Sequence, residues 1–277
     1  MTDDPLKRGT PPGSLRHFAV MYAPASARPL LEALYAYEAE IADTVASSSH
    51  EVAHTRLQWW RGEIDRLLGG DPRHPVTRAL QPLRDRAGER VALLHEPLVA
   101  ADIDLARLTF ENARELEAYC FRASGALQLL AAHTSVGDIT LPDVEQEFAR
   151  RLGSAVRRTE LLRDLRGHLA AGRLPVPLDA LARAGVDPHA LRADAMTPAF
   201  IAVLTAMRDD LRRQLRELIS MLEPASRARQ RQGLVLAALH GKLLEQIAHG
   251  SELARTRAEV PGWTKVWTAW RTALRAA

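Results

Sequence analysis

No stretch of this chain alternates apolar and polar residues in the two-residue rhythm of a β-strand. Apolar residues return instead every three or four positions almost from end to end, which places them on one face of successive helices. Leu30, Leu34, Tyr37, Ile41 and Val45 mark one such stripe. The positions between are filled largely by Ala, Leu, Arg and Glu, which favour helix. The pattern predicts an all-α bundle. No period of 20–50 residues repeats, so a solenoid is excluded. At 277 residues the chain is long enough for a sizeable core. It has no Pro/Gly/Ser-rich linker, so it reads as one domain over residues 1–277.

The spacing predicts helices from about Ser26 to Ser47, Glu51 to Leu68, Pro75 to Leu94 and Leu105 to Ala132, with Glu96 to Asp104 less periodic. Further helices are expected from Pro142 to Ala170, Leu178 to Ala184, Thr197 to Leu222 and Ala225 to His249, with Gly250 as a cap. A last amphipathic helix from Pro261 to Ala277 carries Trp263, Trp267 and Trp270, expected to pack on the bundle. The alternative for this tail, which also bears Arg271 and Arg275, is a place in a lipid headgroup layer.

Composition narrows the function. Of 37 basic residues all but Lys7, Lys242 and Lys265 are Arg, yet 34 acids bring the net charge to +3. The arginines are interleaved with acids rather than gathered in a stripe, which argues for ion-paired helix surfaces and against nucleic-acid binding. The single cysteine, Cys120, sits in an apolar stripe and reads as a core residue; it excludes a disulfide framework and a Cys-based zinc site. No run of about 18 apolar residues occurs, and residues 1–8 lack the apolar core of a secretory signal. A cytoplasmic protein is expected, peripheral at the inner membrane if the tail engages lipid. The sequence contains no HExxH, GxSxG, GxGxxG or P-loop pattern. His50 and His54 have the spacing of a helical metal pair but read as helix-start residues. Trp59-Trp60 reads as a packing anchor.

One polar stack stands out. Glu160, Asp164 and His168 are spaced four apart, on one side of a continuous helix. Carboxylate and imidazole are metal-ligand types. The competing reading is an ion-pair ladder with Arg157, Arg163 and Arg166.

Five blocks in order then resemble a known family. Pro12-Gly13-Ser14 opens the chain. "ALYAYEAEIADTV" runs from Ala33 to Val45, and "LQWWRGEIDRL" (Leu57–Leu67) is followed by "HPVTRAL" (His74–Leu80). "ELEAYCFRASGAL" spans Glu115–Leu127, and "LGSAVRRTELLRDLRGHLAAGRLPVPLDALARAGV" spans Leu152–Val186. Together they resemble the squalene/phytoene synthases over almost the full length. The resemblance implies an isoprenoid-synthase-type bundle around a central cavity. It also implies that two Asp-rich helices hold Mg²⁺, that metal and Arg neutralise a leaving diphosphate, and that an apolar tunnel traps the cation. On that basis Ser14, Tyr119, Arg157 and Arg163 are cavity or diphosphate-binding candidates. Glu160, Asp164 and His168 are metal candidates.

Departures from the family pattern are concentrated at the metal. Ala42 and Ala46 stand at the two Asp positions of the first motif, beside a retained Asp43. Ala39 stands at its Arg. Arg157, Glu160 and His168 replace Gln, Asn and Asp on the second helix. Gln128 stands at the tunnel glycine and narrows the cavity. Alanine offers no oxygen to Mg²⁺. The run Arg56-Leu57-Gln58-Trp59-Trp60 is similar to the branch that contains the mitochondrial complex I assembly factor. This implies a non-catalytic role in maturing a respiratory complex, with a lipid or a membrane-complex protein as partner and no cofactor. The alternative is an active prenyl diphosphate synthase with a remodelled Mg²⁺ site.

Overall fold

Helix starts are chemically marked. In the computed structural model, which describes residues 4–47, 49–136, 140–191, 196–247 and 257–276, side chains cap backbone N–H groups that a first turn leaves unpaired at several helix starts. Ser14 Oγ accepts from His17 N, Ser49 Oγ from Val52 N, Asn112 Oδ1 from Arg114 N and Glu115 N, and Thr197 Oγ1 from Phe200 N. They open α1 (Leu15–Met21), α3 (His50–Gly69), α7 (Ala113–Cys120) and α12 (Pro198–Ser220). Between and after them run α2 (Arg28–Val45), α4 (Pro75–Leu80), α5 (Leu83–Ala87), α6 (Glu96–Leu105), α8 (Ala126–Ser135), α9 (Asp143–Arg163), α10 (Leu165–Ala170) and α11 (Leu178–Arg183). The last three are α13 (Pro224–Arg229), α14 (Arg231–Gln246) and α15 (Gly262–Arg275). No strand occurs among the described residues, and none of their helices is long and apolar enough to cross a membrane. The expected stop at His249–Gly250 lies outside the described residues.

Four expected helices are broken, the one from Ala225 to His249 at Gln230, whose φ and ψ of −91° and 23° separate α13 from α14. Pro75 to Leu94 becomes α4, α5 and a 3₁₀ turn, because Pro82 interrupts the backbone donors and Gly88 takes φ 56°. Leu105 to Ala132 starts only at Ala113. Glu96–Leu105 is instead a helix of its own, closed by Arg107 at φ 53°, with Leu108 N donating to Ile103 O. Beyond Cys120 a π-type turn (Phe121–Gly125) widens the helix, and Ala126 N donates to Phe121 O. Pro142 to Ala170 breaks at Asp164, whose φ and ψ of −99° and 14° leave the helical region.

The helices pack around two cores. One gathers α2, α3, α4, α6 and α8 around Leu31, Tyr37, Leu57, Ile64 and Leu98. The other gathers α9, α12, α14 and α15 around Phe148, Leu152, Phe200 and Leu239. Trp60 is buried against Tyr37 and His74, as an anchor should be, and Trp59 is half exposed. Cys120 is buried, and burial pushes its thiol up. His50 and His54 lie at the exposed start of α3 with their Nε2 atoms 3.0 Å apart. The tail departs from expectation: Ala269 and Ala273 face the bundle, and Trp263, Trp267 and Trp270 face outward.

Glycine permits the closest backbone approach. A Cβ on Gly153 in α9 would lie 2.5 Å from Gly125 Cα and 2.6 Å from Ser124 O. Backbone cannot yield there as a flexible side chain can. Gly153→Ala is therefore expected to cost about 1–3 kcal/mol, read as a lower urea midpoint. Gly241→Ala in α14, where a Cβ meets nothing within 4 Å, is expected to be neutral or stabilising.

Candidate functional site

The seam between the two cores contains a cavity of about 630 Å³. Its walls come from five places. Residues 8–16 cross over α2, so closely that a Cβ on Gly9 would fall 2.0 Å from the Tyr35 carbonyl. Facing helices α2 and α9 contribute Glu38, Ala39 and Ala42, and Arg157, Glu160, Arg163 and Asp164. His240 enters from α14, and Arg257, Val260 and Lys265 come from the segment around the start of α15. Six cationic side chains (Arg8, Arg16, Arg157, Arg163, Arg257 and Lys265) face four acids, so the cavity carries excess positive charge.

An arginine joins the two main helices. Arg16 donates from Nη2 to Glu38 Oε1 at 3.0 Å and from Nη1 to Glu160 Oε1 at 2.9 Å, with its guanidinium 5.4 Å from the Tyr35 ring centre. Burial alone would raise Glu160; Arg16 above all, then His240, Arg163 and Arg157, hold it below the ordinary carboxylate range. Glu38 goes the other way, because burial outweighs Arg16 and the neighbouring Glu160 adds to it. Asp164 resists its burial through hydrogen bonds from Arg163 (Nη2, 2.6 Å) and Arg257 (Nε, 2.6 Å), and falls to about 2. Burial lowers His240 to about 4, so it is neutral near pH 7. Its Nδ1 pairs with Leu236 O, and its Nε2 has no protein partner. The Nε atoms of Arg16 and Arg157 are likewise buried without a protein partner.

Beside the charged layer three buried polar side chains bond to one another. Tyr35 Oη donates to Gln128 Oε1 (3.1 Å), Gln128 Nε2 to Gln232 Oε1 (3.0 Å), and Gln232 Nε2 to Tyr35 Oη (2.6 Å). This buried ring ties α2, α8 and α14 together and satisfies every member, so it is rigid. A side pocket of about 180 Å³ shares Glu38, Ala42 and Arg157 with the main cavity and is walled by Ile41, Val45, Pro97, Ala100 and Ala101.

A family profile for squalene/phytoene synthase matches residues 12–264. The chain belongs to that family. It is 30% identical over 241 residues to the bifunctional protein CrtB/UppS of Streptomyces coelicolor, covering 86% of this chain and 41% of that one. It is 28% identical over 136 residues to the phytoene synthase of Arthrospira platensis, covering 46% and 44%. It therefore spans less than half the length of these two relatives. The presqualene diphosphate synthase of Rhodopseudomonas palustris is 27% identical over 206 residues, 71% of each chain. The fold matches a dehydrosqualene synthase crystallised with a ligand (TM-score 0.73, 18% identity, 93% of this chain and 89% of that one). It also matches the squalene synthase HpnC of Alicyclobacillus acidocaldarius (TM-score 0.69, 21% identity, 87% and 91%).

Against this family background the candidate residues divide. Ser14, Arg157, Glu160, Arg163 and Asp164 reach the cavity together with Ala39 and Ala42. Tyr119 does not: it is buried, donates to Asp104 at 3.0 Å and accepts from Arg157 Nη2, so it backs Arg157 from outside the cavity. His168 lines the side pocket with Ala46 and Arg173 and not the main cavity, although it follows Asp164 by one turn and feels its charge. Burial, then Arg173, lowers His168 to about 4. Asp43 is mostly exposed, with Arg8 3.5 Å away. Arg16, Glu38, His240, Arg257 and Lys265 complete the cavity without having been singled out as site residues by the sequence reading. Nothing local marks them, since the Arg16–Glu160 pair spans 144 residues.

The family's Mg²⁺ ions find a poor donor set. A hard cation takes six or more oxygens. Facing the cavity, α2 offers only Glu38, and each carboxylate of Glu38, Glu160 and Asp164 already accepts from at least one guanidinium. Among the described residues no group of three or more His, Cys, Asp or Glu is arranged to hold a metal. The residues do not fit the ion.

Proposed function

We propose that this member of the family binds a phosphorylated prenyl lipid without turning it over, its diphosphate held by the arginines of the cavity rather than by metal. The observation that carries this reading is Arg16 lying between Glu38 and Glu160. A guanidinium occupies the space between facing acid-bearing helices and consumes the carboxylate oxygens a metal would need. The buried, unpartnered Nε donors of Arg16 and Arg157 suit an anion rich in acceptor oxygens. The buried ring of Tyr35, Gln128 and Gln232, with a long polar side chain where the family pattern has glycine, supports the same reading by taking up room a second prenyl chain would need. A role in maturing a respiratory complex, implied by the Arg56–Trp60 resemblance, extends the same reading: it needs a folded binder and a membrane-complex protein, and no chemistry.

The test is incubation with farnesyl or geranylgeranyl diphosphate and Mg²⁺, with extraction of the products. The expected result is no squalene-, presqualene- or phytoene-type product above the protein-free control. Turnover overturns the reading in favour of a synthase, as the relatives are named. Calorimetry with farnesyl diphosphate supplies the positive arm. Binding in EDTA is expected to match binding in Mg²⁺, and binding that requires Mg²⁺ counts equally against the proposal.

A further inference from the structure

The outer face of α15 has no use in the cavity. Trp263 is 75% exposed, Val266 and Trp267 53%, Trp270 44% and Leu274 57%. Their spacing puts all five on one side of the helix. The adjoining side, Ala269 and Ala273, is buried on the bundle, so the helix is docked while its apolar stripe is left largely in solvent. Isolated exposed apolar residues need no explanation, but three tryptophans with two aliphatic residues on one short helix do.

Charge indicates what covers this face. From Gly262 to Ala276 there is no acid, and the basic residues are Lys265, Arg271 and Arg275. Arg271 and Arg275 are exposed beside the apolar stripe. Lys265 turns inward, donates to Gly13 O at 2.7 Å and lines the cavity. The remaining polar residues of the helix, Thr264, Thr268 and Thr272, are half-buried along its flanks. Indole rings with a basic, acid-free border suit the boundary of an anionic bilayer, where the rings sit among headgroups and the arginines meet lipid phosphates. At 14 residues the helix is about 21 Å long, too short to span and long enough to lie in the surface plane.

We infer that α15 docks this protein on an anionic membrane, with Trp263, Trp267 and Trp270 in the headgroup layer and Arg271 and Arg275 on lipid phosphates. The orientation brings the cavity close to the bilayer, because Lys265 and Val260 belong to its wall. The inference rests on α15 alone and holds whatever the cavity binds.

The experiment is flotation of the full chain with vesicles of phosphatidylcholine, or of phosphatidylcholine mixed with phosphatidylglycerol. Binding to the mixed vesicles is expected, with a blue shift of tryptophan emission. It should weaken by at least about tenfold in Trp263→Ser/Trp267→Ser/Trp270→Ser. Arg271→Glu/Arg275→Glu should lose the preference for the anionic vesicles. All these side chains are exposed, so helicity by circular dichroism should be retained, and so should calorimetric binding of farnesyl diphosphate if the cavity binds it. Equal flotation of the triple variant and the wild type overturns the inference. So does a wild type that ignores both vesicles while sedimenting as a dimer that the triple variant cannot form, which would make the face a contact between two copies.

Discussion

Arg16→Ala is expected to lower the unfolding free energy at pH 7 by about 3 kcal/mol. Removing one partner of a buried charge set generally costs about 3–5 kcal/mol. The low end applies here because Arg163 and Arg157 remain near Glu160. The loss comes from stranding Glu38 and Glu160, and its pH dependence follows. Without Arg16, burial raises Glu38 further and lifts Glu160 from its depressed value in the folded state. A group raised on folding destabilises above its folded value and ceases to do so below its unfolded value. Urea titrations should therefore show the deficit shrinking as the pH falls from 7 toward about 4.5. A deficit that stays constant over that range would falsify the assignment. Adding Glu38→Gln and Glu160→Gln to Arg16→Ala should restore much of the stability. The single variant also presents two facing carboxylates, so millimolar Mg²⁺ should raise its melting temperature and leave the wild type unchanged.

The second large effect is expected at Glu63, far from the cavity. Its side chain is fully buried between α3 and α4. Oε1 accepts from Arg73 N (2.7 Å), His74 N (2.7 Å) and Thr77 Oγ1 (2.5 Å), and Oε2 accepts from Arg66 Nε (2.8 Å). Burial would raise this carboxyl, but the donors prevail, His74 N first, and bring it from 4.5 to about 2. That depression corresponds to about 3 kcal/mol of stability. Because the folded value is the lower one, the contribution is complete above pH 4.5 and is lost as the pH falls toward 2. Glu63→Gln turns part of the acceptor into a donor, so it should lose about that amount at pH 7. The gap to wild type should close between pH 4.5 and 2. A variant within about 1 kcal/mol of wild type at pH 7 refutes the account. If Glu63→Gln does not fold, Thr77→Val, which removes a single donor, should still show a deficit of about 1 kcal/mol.

The legibility of the chain differs between fold and site. α2 and α12 lie within two residues of their expected limits, because each combines a long apolar stripe with a chemical stop or start. The breaks at Arg107, Phe121–Gly125 and Asp164 carry no comparable local signal. Arg107 adopts a left-handed conformation that ordinarily favours glycine, and the π-type turn depends on α9 approaching at Gly153. At the site, the alanines at positions 42 and 46 showed that the α2 carboxylates were missing. The sequence reading named Arg157 and Arg163 as the diphosphate-binding arginines. The structure gives the bridging position to Arg16, while Arg163 holds Asp164 and Arg157 turns toward Tyr119 and Asp104. In a chain with this many arginines no single one stands out by spacing.

By itself the sequence determined the helical class, the order of the main helices, the family and the loss of metal-ligating oxygens. These depend on residue type and on spacings of a few positions, which a linear chain records directly. Only the tertiary structure decided which charges meet. It set Arg16 between Glu38 and Glu160, carried Arg257 and Lys265 to the same cavity, and turned the tryptophans of α15 away from the core. Such outcomes depend on packing between segments from about twenty to about 250 residues apart, where the energy of a buried charge is fixed by partners that no local pattern names.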